Sequence, residues 1–177
     1  MKITLSGPIG SGKTTLGKIV ADKLGISFVS GGMIFRENAR KRNMTVEQFV
    51  LLAESDPEID HLQDQEMLRV LRSEGQLVLE SRLAGWLAYT NDIMAYKVYV
   101  DASPEIRVSR IAERFQGSME LARKNLEVRD ASDLKRYRDY YGIDYRNTGY
   151  YDLIIDSSNL SPEEGAERIY AAIKRTC

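Results

Sequence analysis

The residues Gly7-Pro8-Ile9-Gly10-Ser11-Gly12-Lys13-Thr14, followed by Thr15, carry the spacing G-x-x-x-x-G-K-[ST]. They stand directly after the apolar run Ile3-Thr4-Leu5 and directly before a helical pattern. That strand, turn and helix context is the one in which this spacing holds phosphate. Phosphate oxygens need several donors converging on a small volume. Gly7, Gly10 and Gly12 let successive backbone N–H groups turn inward with no Cβ in the way. The helix starting near Lys13 adds its free N–H groups and the positive end of its dipole. Lys13 supplies a mobile charge for the outer phosphates, and Thr14 a hydroxyl for Mg²⁺.

A second signal lies in the arginines. Of 16 in the chain, eight fall between positions 107 and 146: Arg107, Arg110, Arg114, Arg123, Arg129, Arg136, Arg138 and Arg146. The rigid guanidinium fork suits bidentate contact with phosphate oxygens, so the choice of residue type matters. Arg107, Arg110 and Arg114 are spaced i, i+3, i+7, within about 60° of arc on one helix face. They repel one another unless an anion sits opposite. Arg129, Asp133 and Arg136 repeat the spacing with a carboxylate between two guanidiniums. Beside a phosphate-binding turn, both triplets read as a closing clamp for polyphosphate.

These residues need a scaffold. Short β-branched or apolar runs at Lys2–Leu5, Ser27–Ser30, Gln76–Glu80, Lys97–Asp101 and Asp152–Asp156 alternate with helical patterns, which predicts an α/β fold around a five-stranded parallel sheet. One helix carries Leu16, Ile19, Val20 and Leu24 on a face and stops at Gly25. Another opens at Ser103-Pro104 and buries Val108, Ile111, Ala112 and Phe115. The last runs from about Pro162 to Lys174. Two helical stretches, 31–74 and 116–147, interrupt the alternation after strand ends, where open α/β sheets bind ligands. They read as inserts within a single domain spanning 1–177.

The balance of the chain excludes several classes. A formal charge of −1, with 29% charged and 43% apolar residues, gives no global attraction for nucleic acid or membrane. No apolar stretch approaches the ~18 residues of a membrane span. The N-terminus enters a strand at once, so no signal peptide is expected. The single cysteine, Cys177, excludes an intramolecular disulfide and suits a reducing cytoplasm. One histidine, His61, and one cysteine make no zinc site. No exposed apolar helix face stands out, so a monomer is expected.

The chain resembles the nucleoside monophosphate kinases, and most closely the archaeal type of cytidylate kinase, over nearly its whole length. The resemblance rests on the loop Gly7–Thr15, on Ser30-Gly31-Gly32-Met33-Ile34-Phe35-Arg36, and on Leu79-Glu80-Ser81-Arg82-Leu83-Ala84-Gly85-Trp86. It rests also on Arg110-x-x-x-Arg114 and Arg129-Asp130-x-x-Asp133-x-x-Arg136. It implies ATP on the loop, an acceptor nucleotide under insert 31–74, and a lid formed by insert 116–147. It would place Arg36 and Arg82 on the acceptor α-phosphate and Arg110 and Arg114 on the donor phosphates. Arg129 and Arg136 would bridge both, with Asp133 orienting them or touching the acceptor. The segment Asp156-Ser157-Ser158-Asn159-Leu160 would wall the adenine. Two departures stand out. Many relatives carry Ser-Gly or Thr-Gly where this chain has Gly31-Gly32, leaving Ser30 as the nearest hydroxyl. Ser81 stands where glycine is common.

The implied acceptor is CMP, with dCMP, and its attacking atom is a phosphate oxygen already anionic at neutral pH. Such a transfer needs positioning and positive charge more than a general base, which agrees with many arginines and one histidine. Glu80, at a strand end, is the candidate to hold Mg²⁺ through water. A kinase of AMP or UMP remains open, as do a nucleotide-dependent switch and a small-molecule hydroxyl kinase. Trp86 reads equally as a base-stacking or a core residue. The tyrosines Tyr137, Tyr140, Tyr141, Tyr145, Tyr150 and Tyr151 read as packing of the lid onto the sheet. Asp56, Glu58, Asp60 and Asp64 read as a solvated helix start, from which one carboxylate could instead meet the cytosine amino group. His61 reads as a surface residue.

Overall fold

In the computed structural model, which describes residues 1–176, five strands form one sheet: β1 (Lys2–Ser6), β2 (Ser27–Ser30), β3 (Leu77–Glu80), β4 (Tyr96–Asp101) and β5 (Leu153–Asp156). The order is β2-β3-β1-β4-β5, and every pairing is parallel. Cys177, assigned above to a reducing environment, lies outside the described residues. In β1 all of Ile3, Thr4, Leu5 and Ser6 are buried, the mark of a strand covered on both faces. The register aligns Leu5 and Ser30 with Glu80, and Asp101 with Asp156. All five strands therefore end at one edge, and the loop after central β1 opens there, at the point where strand order reverses.

Helix α1 (Lys13–Leu24) follows the glycine turn and ends at Gly25, whose φ of 66° lets its N–H reach the carbonyls of Ala21 and Asp22. Insert 31–74 is three helices: α2 (Gly31–Lys41), α3 (Val46–Ser55) and α4 (Pro57–Arg72). Each start is capped by a short polar side chain. Ser30 caps α2, Thr45 and Gln48 form a capping box on α3, and Asp56 caps α4 ahead of Pro57. A short helix, α5 (Ala84–Thr90), follows β3 and has no counterpart in the sequence pattern. Then come α6 (Pro104–Phe115), α7 (Met119–Tyr141) and α8 (Pro162–Thr176). Among the described residues no helix is long and apolar enough to cross a membrane.

One core lies between the sheet, α1 and α8, built on Ile3, Leu5, Val20, Val98, Ile169 and Ile173. A second covers the opposite face, where α4, α5 and the end of α7 contribute Met67, Leu71, Leu87 and Tyr137. Helix α7 is 23 residues long and serves two partners. Its first turns bury Ala122 and Leu126 against Val108, Ile111 and Ala112 of α6. Its last turns bury Tyr137 in the second core, and the Tyr140 hydroxyl donates to the Ala53 carbonyl at 2.7 Å. Phe115, expected in the core, is 66% exposed. It occupies the last turn of α6, where the chain leaves for α7 before any partner covers the ring.

The two departures around the first insert compensate each other. A Cβ added at Gly31 would lie 2.8 Å from the Ser81 Cβ and 2.9 Å from the Met67 Sδ. A side-chain carbon at 31 would therefore need the carbon at 81 removed and the flexible end of Met67 shifted. Gly31→Ala is expected to cost about 1–3 kcal/mol by overpacking, and Ser81→Gly in the same chain to recover much of that loss. Thermal melts of the two singles and the double measure it. Additive losses would contradict the shared-space account.

Candidate active site

The loop between β1 and α1 is shaped by close backbone approach. Gly7 has φ 141°, and a Cβ there would sit 2.0 Å from the Val100 carbonyl oxygen of β4. No other residue type fits. Pro8 and Ser11 are buried, whereas Ile9, Gly10, Gly12 and Thr14 are half-buried and Thr15 is exposed. Lys13, only 5% exposed, donates to the Pro8 carbonyl at 3.0 Å and lies 3.7 Å from Glu80. Burial drives its ammonium down to about 8, opposed by the Glu80 carboxylate. A group that dry gains strongly from an anionic partner.

Glu80 gathers the strand-end hydroxyls. Thr14 Oγ1 donates to Glu80 Oε2 at 3.1 Å, and Ser30 Oγ donates to the same oxygen at 2.7 Å. Ser30 thus fixes Glu80 and caps α2; it is absent from the cavity lining described next.

That cavity lies between insert 31–74 and α7. Arg36, Arg82, Arg129, Asp133, Arg136 and the α4 side chains Asp60, Gln63 and Asp64 line it, with Phe35, Val46, Val50 and Met67 as apolar wall. Its charges fall into two groups. In the first, each guanidinium has a carboxylate. Arg82 Nε donates to Asp133 Oδ2 at 2.6 Å, and Arg136 donates to Asp133 Oδ1 at 3.2 Å and to Asp60 Oδ2 at 2.8 Å. Burial alone would favour a neutral Asp133, but Arg82 and Arg136 outweigh it and hold the carboxyl below its ordinary value. Asp60 goes the other way, raised by burial against the pull of Arg136.

The second group has no such balance. Arg36 and Arg129 in the cavity, and exposed Arg114 outside its lining, make no hydrogen bond or ion pair to a carboxylate among the described residues. Burial, and then the charge of Arg82, bring half-buried Arg129 down to about 10. Partial burial and the facing charge of Arg114 lower Arg36. Arg36 comes from α2 and Arg114 from α6, so the fold sets like charges against one another across separate elements. An anion lying between them would relieve that repulsion.

Arg110 bridges the glycine loop and the segment after β5. Its Nη1 donates to Ser157 Oγ at 2.9 Å and its Nη2 to the Ser157 carbonyl at 2.7 Å, while the Ser157 hydroxyl donates to the Ser11 carbonyl at 2.7 Å. Arg107 departs from expectation. Its Nη2 is bidentate to Asp130 at 2.7 and 2.8 Å, and its Nε donates to the Ile9 carbonyl at 2.6 Å. The anion opposite Arg107 is therefore a side chain of α7, and this arginine ties the loop to that helix.

The acidic start of α4 is also corrected. Asp56 caps the helix and Glu58 is exposed, but Asp60 and Asp64 are buried. Asp64 accepts from the Tyr141 hydroxyl, and burial raises its carboxyl to about 7. The two aspartates share the stripe of Met67 and Leu71, spaced i, i+4, i+7, i+11, so the helical period itself marks them as inward-facing. Trp86 is half-buried in the second core, its ring 5.1 Å from that of Tyr141. His61 is half-buried beside the same tyrosine, 5.5 Å between ring centroids.

The model of the cytidylate kinase-like family matches residues 2–159. The chain belongs to the cytidylate kinase-like family. It is 44% identical over 174 residues to the cytidylate kinase of Archaeoglobus fulgidus, covering 98% of this chain and 95% of that protein. It is 43% identical over 173 residues to the cytidylate kinase of Halorubrum lacusprofundi, covering 98% and 89%. In fold it is similar to shikimate kinase from Bacteroides thetaiotaomicron, with a TM-score of 0.67 over 98% of both chains at 18% identity. The parallel sheet and its flanking helices are thus a framework shared with that protein.

Asp133→Asn removes the charge that two buried guanidiniums share. The variant is expected to lose about 3–5 kcal/mol of stability at neutral pH, measured by urea unfolding. Because the folded carboxyl is depressed, the wild-type contribution is present above the ordinary value of 3.8 and disappears as pH falls below it. The acid limb of the stability curve is therefore shallower in the variant. Equal limbs would contradict the pairing.

Proposed function

We propose that this chain is a cytidylate kinase, transferring the γ-phosphoryl group of ATP to CMP, and to dCMP, to give CDP and ADP. One observation carries the reading. Arg36 and Arg129 line the cavity with Arg82, and Arg114 faces Arg36, so three helices bring together guanidiniums that no carboxylate pairs by a hydrogen bond. Two nucleotides meeting end to end supply the anionic charge that such a group requires.

In this reading the loop Gly7–Thr15 holds the donor phosphates, with Lys13 on the outer ones. Arg110 and Arg114 sit on the donor side, and Asp156–Leu160 walls the adenine. Helices α2–α4 form the acceptor insert, where Arg36 and Arg82 take the α-phosphate of CMP. Helix α7 is the lid. Arg129 is the mobile bridge between the nucleotides, whereas Arg136 is held in place by Asp60 and Asp133 and supports the bridge from below. Closing the lid excludes water, which competes for the γ-phosphoryl group, and strengthens each arginine–phosphate contact.

The acceptor oxygen is already anionic, so no base is required. The carboxylates agree with this: Asp133 is engaged by two guanidiniums and held below its ordinary value, which makes it a poor base for a hydroxyl acceptor. Thr14 Oγ1 and Glu80, hard oxygen donors in contact at the loop, fit Mg²⁺, which binds few protein oxygens and keeps water and phosphate ligands. When bound, the ion would neutralise charge on the phosphates.

A coupled assay with ATP and each ribonucleoside monophosphate tests the reading. CMP is expected to be the preferred acceptor; turnover with AMP alone, or with none of the four, would overturn it. Lys13→Ala is expected to lower turnover by orders of magnitude with the fold retained by circular dichroism. Arg129→Ala is expected to lower kcat more than it raises the KM for ATP, and matched losses would make Arg129 an ordinary binding residue.

A further inference from the structure

Helix α4 gives the cavity one wall of hydrogen-bond acceptors. Asp60, Gln63, Asp64 and Met67 line it at i, i+3, i+4 and i+7. Both oxygens of Asp60 are taken by Arg136. Gln63 differs. Its Nε2 donates to the Gly31 carbonyl at 3.4 Å, and its Oε1 is buried with no hydrogen-bond partner. A buried amide oxygen left unpaired costs stability, so its persistence at a cavity wall points to a donor supplied from outside the protein. Beside it, Asp64 spends Oδ2 on Tyr141, and its Oδ1 makes no hydrogen bond among the described residues.

The direction of the Gln63 amide decides which base it can meet. A free amide can rotate to satisfy a donor or an acceptor. The Gly31 carbonyl accepts only from Nε2, which leaves the oxygen as the unpaired edge. Cytosine presents an exocyclic amino group, a donor, where uracil presents a keto oxygen. An acceptor facing a keto oxygen leaves two buried lone-pair groups opposed and unpaired, which is the strong form of discrimination. The backbone at Gly31 is closely packed, since a Cβ there would lie 2.8 Å from the Ser81 Cβ and 2.9 Å from the Met67 Sδ.

We infer that Gln63 Oε1, with Asp64 Oδ1 as the adjacent acceptor, receives the exocyclic amino group of the acceptor base and sets the preference for cytosine over uracil. The inference rests on the kinase reading above, and the test separates the two. Wild-type turnover of CMP decides the kinase reading. The ratio of kcat/KM for CMP to that for UMP, compared between wild type and Gln63→Met, decides this one. Methionine keeps the length of the side chain and removes the oxygen. The variant is expected to lose roughly 10–100-fold in kcat/KM for CMP, mainly through KM, with UMP unchanged or improved and the KM for ATP unchanged. Gln63→Ala is read in the same way, should the methionine variant fail to fold. A CMP-to-UMP ratio equal to that of wild type, or equal losses on both acceptors, would make Gln63 a structural residue and overturn the inference.

Discussion

Guanidinium groups in a partly dry cavity repel one another, and this chain resolves the repulsion for only some of them. Asp133 and Asp60 neutralise Arg82 and Arg136 within the protein, with contacts of 2.6 to 3.2 Å. Arg36, Arg114 and Arg129 make no hydrogen bond or ion pair to a carboxylate among the described residues, and burial first, then neighbouring guanidiniums, lower Arg36 and Arg129. The paired set gives a rigid floor at the cost of desolvating four ions. The unpaired set keeps its charge available for a ligand. In the kinase reading proposed above, preorganised charge of this kind would be the main catalytic resource of a transfer that needs no base.

Every element that carries this charge is anchored at the same sheet edge. Parallel strands deliver Gly7, Ser30, Glu80 and Asp101 together, and Glu80 then ties Thr14 and Ser30 to one oxygen. The Arg107–Asp130 pair fastens α7 to the glycine loop, so the helix bearing Arg129 is registered to the phosphate site at one end. Tyr140 and Arg136 register the same helix to the first insert at the other. One long helix therefore couples the glycine loop and helices α3 and α4 mechanically.

Local chemistry was readable from residue order, and tertiary partnership was not. The loop, the strand runs and the caps at Ser103 and Gly25 depend on neighbours a few residues away, and the structure has them where the pattern predicts. Which arginine meets a carboxylate depends on residues far apart in the chain, as Arg136 with Asp60 or Arg107 with Asp130. Spacing on one helix could not separate Arg107, a structural tie, from Arg110 and Arg114. The buried Asp60 and Asp64 were legible in principle, since they share the period of Met67 and Leu71, but their charge argued for solvent. The α5 helix is too short for periodicity to register. The Gly31 and Ser81 departures become intelligible only when the two residues are seen to share one space.

The central claim is that the unpaired guanidiniums serve a single anionic bridge between two nucleotides. A bisubstrate analogue, cytidine and adenosine joined at their 5′ positions through a chain of five phosphates, addresses it directly by calorimetry. The account predicts that the analogue binds orders of magnitude more tightly than CMP or ATP alone, and that Arg129→Ala weakens the analogue far more than either nucleotide. Equal weakening of all three ligands, or an analogue no tighter than ATP, would contradict it.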